Sequence, residues 1–143
     1  MGKKRIVKKS EEVQATAKTA APAKGLKKKI EHAVFYVQST YNNTTLLLTD
    51  TKGNAIAASS SGALGFKGAK KGTPFAAAKA AEVLSEKAEQ VGVKRVDVVV
   101  KGVGAGRESS IRAFVNRGIQ LNSIKDVTPV PHNGPKPKKA RRV

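Results

Sequence analysis

The sequence predicts an α/β fold in which a mixed β-sheet carries two helices, with the elements in the order βββαβαβ. Three observations support this prediction. Runs of β-forming residues follow one another between residues 32 and 60, an alanine-rich segment with helical spacing comes next, and a valine-rich strand then precedes a second, shorter helix. The chain has 143 residues and long charged ends, so we place one globular domain at residues 30–128.

The first three strands are expected to form an antiparallel meander. The segments rich in β-forming residues are 32–37, 44–49 and 55–60. Asn42 and Asn43 separate the first two segments, and asparagine tolerates the left-handed backbone that a hairpin turn requires. Lysine, glycine and asparagine at residues 52–54 then form a second turn, so each strand returns beside the one before it.

The long helix is marked by its two ends and by its apolar spacing. Thr73 can cap the first turn and Pro74 suits the first helical position. Gly92 is placed to end the helix. The residues predicted to form its buried stripe are Ala77, Ala80, Ala81, Leu84, Ala88 and Val91. Because most of them are alanines, we expect the helix to lie close against the sheet.

The second half of the domain continues with a strand, a short helix and a final strand. These elements are predicted at residues 93–101, 109–117 and 119–127. Val96, Val98 and Val100 share one face of the first of these strands. The apolar face of the short helix consists of Ile111, Phe114 and Val115, and Gly118 is placed to end it.

Positive charge is concentrated at the two ends of the chain. The protein has 28 Lys+Arg against 10 Asp+Glu, a formal net charge of +18. Residues 1–29 hold ten basic and two acidic residues, and residues 129–143 hold five basic and no acidic residues, so these 44 residues carry +13 of the total. Basic arms of this kind neutralise polyanions. We therefore favour nucleic acid as the partner, over solubilising tails and over an acidic membrane surface.

The two arms differ in the conformation that their compositions favour. Residues 1–29 lack an apolar period and are predicted to be disordered until bound. Residues 129–143 are rich in proline and are predicted to form an extended, stiff arm with a basic tip. Within this arm Asn133 precedes Gly134, and glycine hinders backbone attack on the asparagine side chain least. Isoaspartate formation at Asn133 is therefore a hypothesis, and a peptide map showing intact Asn133 in aged, assembled material would rule it out.

Two glycine-rich loops have the composition of phosphate-binding segments. The loop at residues 61–72 contains four glycines and three lysines, but it lacks the spacing of a P-loop. The loop at residues 102–106 precedes a helix, whose free N–H groups and positive dipole end attract phosphate, and Arg107 can bind phosphate with two N–H groups. The alternative for residues 102–106 is a tight turn that merely needs glycine. Phe66 either stacks on a base or, as we slightly favour, anchors its loop.

The predicted contacts to nucleic acid lie in the arms, the loops and the helix that follows the second loop. They are Lys3, Lys4, Arg5, Lys8, Lys9, Lys27, Lys28, Lys29, Asn42, Asn43, Lys67, Lys70, Lys71, Gly104, Gly106, Arg107, Ser109, Ser110, Arg112, Lys136, Lys138, Lys139, Arg141 and Arg142. Because the chain has only four Phe and two Tyr, these contacts are expected to reach mainly phosphate, and no stacking platform for a whole single strand is expected.

Catalysis and membrane insertion find little support in the residues. The chain has no cysteine, its two histidines stand 100 residues apart, and the spacing at residues 102–106 departs from a dinucleotide fingerprint. A nuclease centre could in principle use Asp50, Asp97, Glu108 and Asp126, but structural roles are favoured. We therefore expect neither enzymatic activity nor a cofactor, a metal or a membrane-spanning segment. A DNA-compacting protein with basic tails is the alternative from another class.

Several short stretches resemble the small-subunit ribosomal protein uS11 (bacterial S11) family, over about residues 30–143. The matching stretches are Tyr41-Asn42-Asn43-Thr44, Gly65-Phe66-Lys67-Gly68, Thr73-Pro74-Phe75-Ala76-Ala77, Val100-Lys101-Gly102, Gly106-Arg107-Glu108-Ser109, Ile111-Arg112-Ala113, Asp126-Val127-Thr128-Pro129 and Pro131-His132-Asn133-Gly134. Together, in order and correctly spaced, they form a specific signal. The chain departs from the family at Val103 and Ala105, where proline is usual, and at Pro135, where cysteine is frequent.

The resemblance implies a ribonuclease-H-like fold without nuclease activity, in a cytoplasmic ribosome. It implies a place on the platform of the small subunit, where the protein joins separate helices of the small-subunit (16S-type) rRNA. It further implies that the protein helps to line the mRNA path near the Shine–Dalgarno cleft and touches the neighbouring ribosomal proteins S7 and S18. These expectations come from the family and not from composition or spacing.

Overall fold

The computed structural model describes residues 29–140, and its elements follow the predicted order. They are β1 (His32–Ser39), β2 (Thr44–Asp50), β3 (Ala55–Ser60), a 3₁₀ turn (Gly68–Gly72), α1 (Pro74–Val91), β4 (Arg95–Lys101), α2 (Gly106–Val115) and β5 (Gln120–Asp126). Of the basic segment at residues 1–29, only Lys29 falls within the described range, so the predicted disorder of that segment lies outside the described residues.

The five strands form one mixed sheet in the order β3-β2-β1-β4-β5. β1 pairs antiparallel with β2, and β2 pairs antiparallel with β3, which confirms the predicted meander. β4 pairs parallel with β1 on one side and with β5 on the other. Parallel neighbours need a crossover connection, and α1 and α2 provide it. The predicted α/β class, with a mixed sheet and two helices, is therefore confirmed.

The hydrophobic core lies between the two helices and one face of the sheet. Alternate residues of the central strand β1, Ala33, Phe35 and Val37, are buried. Phe35 stacks on Phe114 of α2, with the ring centroids 4.3 Å apart. The helix α1 contributes mainly buried alanines, which let it approach the sheet closely. The two helices pack against each other as well as against the sheet, so their buried residues and those of the strands form one core cluster.

Two predicted boundaries are corrected by contacts that the structure shows. The helix α2 spans Gly106–Val115 and not residues 109–117, because Gly106 packs against β2 and Ser110 Oγ donates to the Gly106 carbonyl at 2.8 Å. β4 begins at Arg95, since the Val93 N–H still closes the last turn of α1 on the Ala88 carbonyl at 3.1 Å.

The buried stripe of α1 also differs slightly from its prediction. Val91 is only half-buried, whereas Ala76 and Ser85 are fully buried. Val91 stands at the end of the helix, where the chain already turns into Gly92 with a left-handed φ of 88°. The predicted cap is confirmed at the other end, where Thr73 Oγ1 accepts a hydrogen bond from the Ala76 N–H at 3.3 Å.

Candidate nucleic-acid interface

Three loops meet at one end of the sheet, where β1 and β4 end side by side because they are parallel. They are the β1–β2 turn (residues 40–43), the glycine–lysine loop (residues 61–72) and the β4–α2 loop (residues 102–105). We call this region the loop end. The Gly62 N–H donates to Asn43 Oδ1 at 3.2 Å, and the Gly104 N–H donates to the Ser39 carbonyl at 3.1 Å. Asn43 of the turn thus holds the glycine–lysine loop, and Ser39 at the end of β1 holds the β4–α2 loop.

Glycine is required where these loops press against their neighbours. A Cβ atom on Gly106 would lie 2.3 Å from Thr44 Oγ1, and one on Gly72 would lie 2.2 Å from the Tyr41 carbonyl oxygen. No side chain fits at such distances. Gly104 and Gly106 are both buried, so packing alone accounts for them. This supports the interpretation of residues 102–106 as a turn that needs glycine, and the contact of Gly104 and Gly106 with phosphate stays a prediction.

The loop end concentrates positive charge from lysines and from two helix starts. Both α1 and α2 begin there, and the positive end of a helix dipole attracts anions. Lys67, Lys70 and Lys71 lie in or beside the 3₁₀ turn that leads into α1. Within residues 29–140, no carboxylate lies within ion-pair distance of these three lysines. Their charge is therefore available to a polyanion.

Arg107 connects the loop end to the start of the C-terminal arm. Its guanidinium donates to the Gly102 carbonyl and to Thr128 Oγ1, and it forms an ion pair with Asp126. Thr128 in turn donates its backbone N–H to Asp126 at 2.9 Å. The side chain predicted to bind phosphate is thus turned towards protein partners. Guanidinium has five N–H donors, so a phosphate contact stays a prediction.

A family model described as Ribosomal protein S11 matches residues 33–142. The chain belongs to the ribosomal protein S11 family. The match spans every helix and strand that the structure describes, apart from the first residue of β1, together with the loop end and most of the C-terminal arm. Members of this family are structural, non-enzymatic proteins of the small ribosomal subunit, in the cytoplasm or in an organelle, where they bind rRNA and other ribosomal proteins.

The remaining predicted contacts of this S11-family protein are dispersed. Ser110 is buried, and its hydroxyl, like that of the half-buried Ser109, donates to carbonyls of the first turn of α2. Asn42 and Arg112 are exposed, whereas Lys29 lies at the opposite end of the sheet, beside the end of α1. In the arm, the exposed lysines are Lys136, Lys138 and Lys139.

Nine predicted contacts and one predicted modification belong to the two arms of the S11-family protein. The predicted contacts that lie outside the described residues are Lys3, Lys4, Arg5, Lys8, Lys9, Lys27, Lys28, Arg141 and Arg142. Asn133 is exposed and has a left-handed φ of 54°, a conformation that asparagine tolerates. Its conversion to isoaspartate stays a prediction.

The acidic residues of the S11-family protein serve separate local contacts. Asp97 Oδ2 bonds to His32 Nε2 at 2.6 Å, a pair that the sequence did not predict, while Ser123 and Asn122 donate to Oδ1. These hydrogen bonds, that from Ser123 foremost, lower the pKa of Asp97. Asp50 binds the turn residues around Asn54. In the described part of the chain no three His, Asp or Glu side chains gather as metal ligands.

No helix in the described range is long and apolar enough to cross a membrane.

Two exposed aromatic residues at the loop end, Tyr41 and Phe75, are not among the predicted contacts of the S11-family protein. Phe75 is 63% exposed and Tyr41 is 79% exposed, large fractions for apolar rings. A signal for Phe75 was present in the sequence. Phe75, Lys79 and Glu82 recur at the i, i+4, i+7 spacing of one helix face, so this phenylalanine belongs to the polar face of α1.

The pKa of Asp126 provides a test of the link between Arg107 and the arm. Hydrogen bonds from Thr128, and then from Arg107, hold the pKa of Asp126 far below its ordinary value of 3.8. A depressed folded-state pKa contributes stability above the unfolded-state pKa, and this contribution is lost as the pH falls through the folded-state value. We therefore expect Asp126→Asn to be less stable than the wild type at pH 7, with a difference that shrinks below about pH 4.

Urea unfolding of both proteins between pH 7 and pH 2 measures this difference. The control is Glu86→Gln, which removes an exposed ion pair with Arg117 and should change stability little. A difference between Asp126→Asn and the wild type that is constant across the pH range would contradict the prediction.

Proposed function

We propose that this S11-family protein joins separate helices of the small-subunit rRNA on the platform, as a structural component without enzymatic activity, cofactor or metal. The observation that carries the proposal is the loop end, where three loops and two helix starts converge with three lysines that pair with no carboxylate within residues 29–140. Such a surface suits phosphates from more than one strand, because its donors belong to segments far apart in sequence.

The proposed mechanism is an electrostatic clamp. The domain at residues 30–128 sets the position of the loop end on one rRNA element. The basic segments at residues 1–29 and 129–143 then order on neighbouring elements and neutralise their phosphates. The contacts of Arg107 with Asp126 and Thr128 support these separate roles of the domain and the arms, because they hold the start of the C-terminal arm beside the loop end.

The finer placement rests on the resemblance to the family. We propose that the protein helps to form the Shine–Dalgarno cleft beside the mRNA path, with ribosomal proteins S7 and S18 as neighbours, in cytoplasmic ribosomes. Crosslinking within assembled small subunits tests this placement. It should join the loop end and the C-terminal arm to different rRNA helices of the same particle. Crosslinks from both regions to a single helix would contradict the bridging role.

Binding should depend steeply on salt, because the clamp releases counterions from phosphates. If about 6–10 phosphates are neutralised, the affinity of the full-length protein for its rRNA fragment should fall about 10³–10⁵-fold between 50 and 200 mM salt. Filter binding or fluorescence anisotropy across that range measures the slope. An affinity that stays constant over the range would rule out the electrostatic clamp.

A further inference from the structure

Phe75 is an aromatic residue whose exposure the packing of the domain does not explain. It lies in the first turn of α1, on the polar face of the helix, and 63% of its surface is exposed. The core is built on the other face of α1 from buried alanines and Leu84. A phenylalanine that stabilised the domain by burial would belong on that other face. Its ring is instead presented outwards at the loop end.

The Phe75 ring has two neighbouring side chains, Phe66 and Lys79. Phe66, which is half-buried, meets it edge to face, with the centroids 6.1 Å apart and the planes at 86°. This is a favourable geometry for two aromatic rings. Lys79 Nζ lies 5.8 Å from the centroid of Phe75, within the range of a cation–π contact, and it also forms an ion pair with Glu82 at 2.9 Å. Phe66 thus supports the ring of Phe75 and is not itself the exposed aromatic face.

The charges around this ring favour a nucleotide over an apolar protein segment. Lys67, Lys70 and Lys71 stand in the same loop as Phe66 and immediately precede α1, and no carboxylate of the described residues pairs with them. A base has a flat apolar face, and its own backbone carries the phosphates that the lysines can bind. A buried apolar protein partner would leave these lysines without counter-charges.

We propose that Phe75 stacks on one unpaired base of the rRNA, while the lysines of the glycine–lysine loop hold the phosphates next to that base. This inference rests on the proposed rRNA binding and adds a stacking site to it. The low aromatic content of the chain agrees with a single stacked base and not with a platform for a whole strand.

The test compares full-length Phe75→Ala, Phe75→Trp and the matched control Ile124→Ala, which shortens another exposed apolar residue, on β5. With the rRNA fragment, Phe75→Ala should raise Kd about 5- to 150-fold, the range expected for one lost base–aromatic stack. Phe75→Trp should bind nearly as well as the wild type, and Ile124→Ala should bind equally well. Chemical probing should show one base that the wild type protects and Phe75→Ala leaves reactive.

The salt dependence separates the failure of this inference from the failure of the proposed function. Stacking is not ionic, so Phe75→Ala should keep the wild-type salt slope. If Phe75→Ala binds and protects like the wild type and the slope is steep, stacking is wrong and the clamp stands. If the slope of the wild type is flat, the clamp fails as well. If Phe75→Ala keeps its rRNA affinity but no longer assembles with another small-subunit protein, Phe75 is a protein contact and the stacking proposal is overturned.

Discussion

Replacing Gly102 with alanine is expected to lower the free energy of unfolding by about 3 kcal/mol or more. Two effects add. Gly102 has a φ of +99°, which strains any residue with a side chain, and its Cβ would lie 2.1 Å from the Ser39 carbonyl oxygen. That oxygen belongs to the backbone at the end of β1, which cannot move aside without disturbing the central pairing of β1 with β4. The loss is large against a typical stability of about 5–15 kcal/mol.

Gly118→Ala is the matched control for the backbone strain. Gly118 has a similar φ of +86°, but a Cβ there would meet no atom within 4 Å. Its replacement should therefore cost only the strain, about 1–2 kcal/mol. Urea unfolding of both full-length variants, followed by circular dichroism, gives their free energies of unfolding. The difference between them measures the cost of the close approach of residue 102 to Ser39. Equal losses in the two variants would show that the packing of Gly102 against β1 contributes nothing.

Neutralising the three lysines of the glycine–lysine loop is expected to have the largest effect on rRNA binding. The triple variant with Lys67→Gln, Lys70→Gln and Lys71→Gln should lower the affinity for rRNA by about 100-fold at 0.1 M salt. It should also reduce the salt slope by about 2–3, because each lost lysine–phosphate contact means that binding releases about one counterion fewer. All three side chains are at least partly exposed, so the fold should be unchanged. Kd values from 50 to 200 mM salt give both quantities.

A charge-matched control removes three lysines from the opposite end of the sheet. Lys52 lies in the β2–β3 turn, Lys87 near the end of α1 and Lys94 just before β4. Neutralising these three changes the net charge by the same amount but leaves the loop end intact. A similar loss in both triple variants would mean that binding follows net charge alone, and that the loop end has no special role.

Most of the fold could be predicted from the sequence because the relevant signals are local. The ends of α1 depend on Thr73, Pro74 and Gly92, which act within one turn of the helix, and the strands show their own β-forming composition. The start of α2 could not be predicted in this way. It depends on the contact of Gly106 with Thr44, which stands 62 positions earlier in the chain. The residues around Gly106 do not show that Thr44 will lie beside it.

The candidate site was predicted in its parts but not in its assembly. Glycine and lysine content identified the two loops, yet only the pairing of β1 with β4 brings them to the same end of the sheet. The partner of Arg107 lies 19 residues further along the chain, so its ion pair with Asp126 could not be read from spacing. Phe75 had a readable signal in its position on the polar face of α1, but helical phenylalanines are more often part of the core.

The attachment of the C-terminal arm at the loop end has a consequence for affinity. The eleven residues from Pro129 to Lys139, the last lysine of the arm, can span about 34 Å if they are extended by their prolines. Once the loop end is bound, the arm searches only the volume within that radius, so its basic tip meets neighbouring rRNA at a high effective concentration. Contacts of the tip that are individually weak can then raise the overall affinity of the protein for rRNA. If the contacts of Arg107 with Asp126 and Thr128 were lost, the arm would search a larger volume and the effective concentration of its tip would fall.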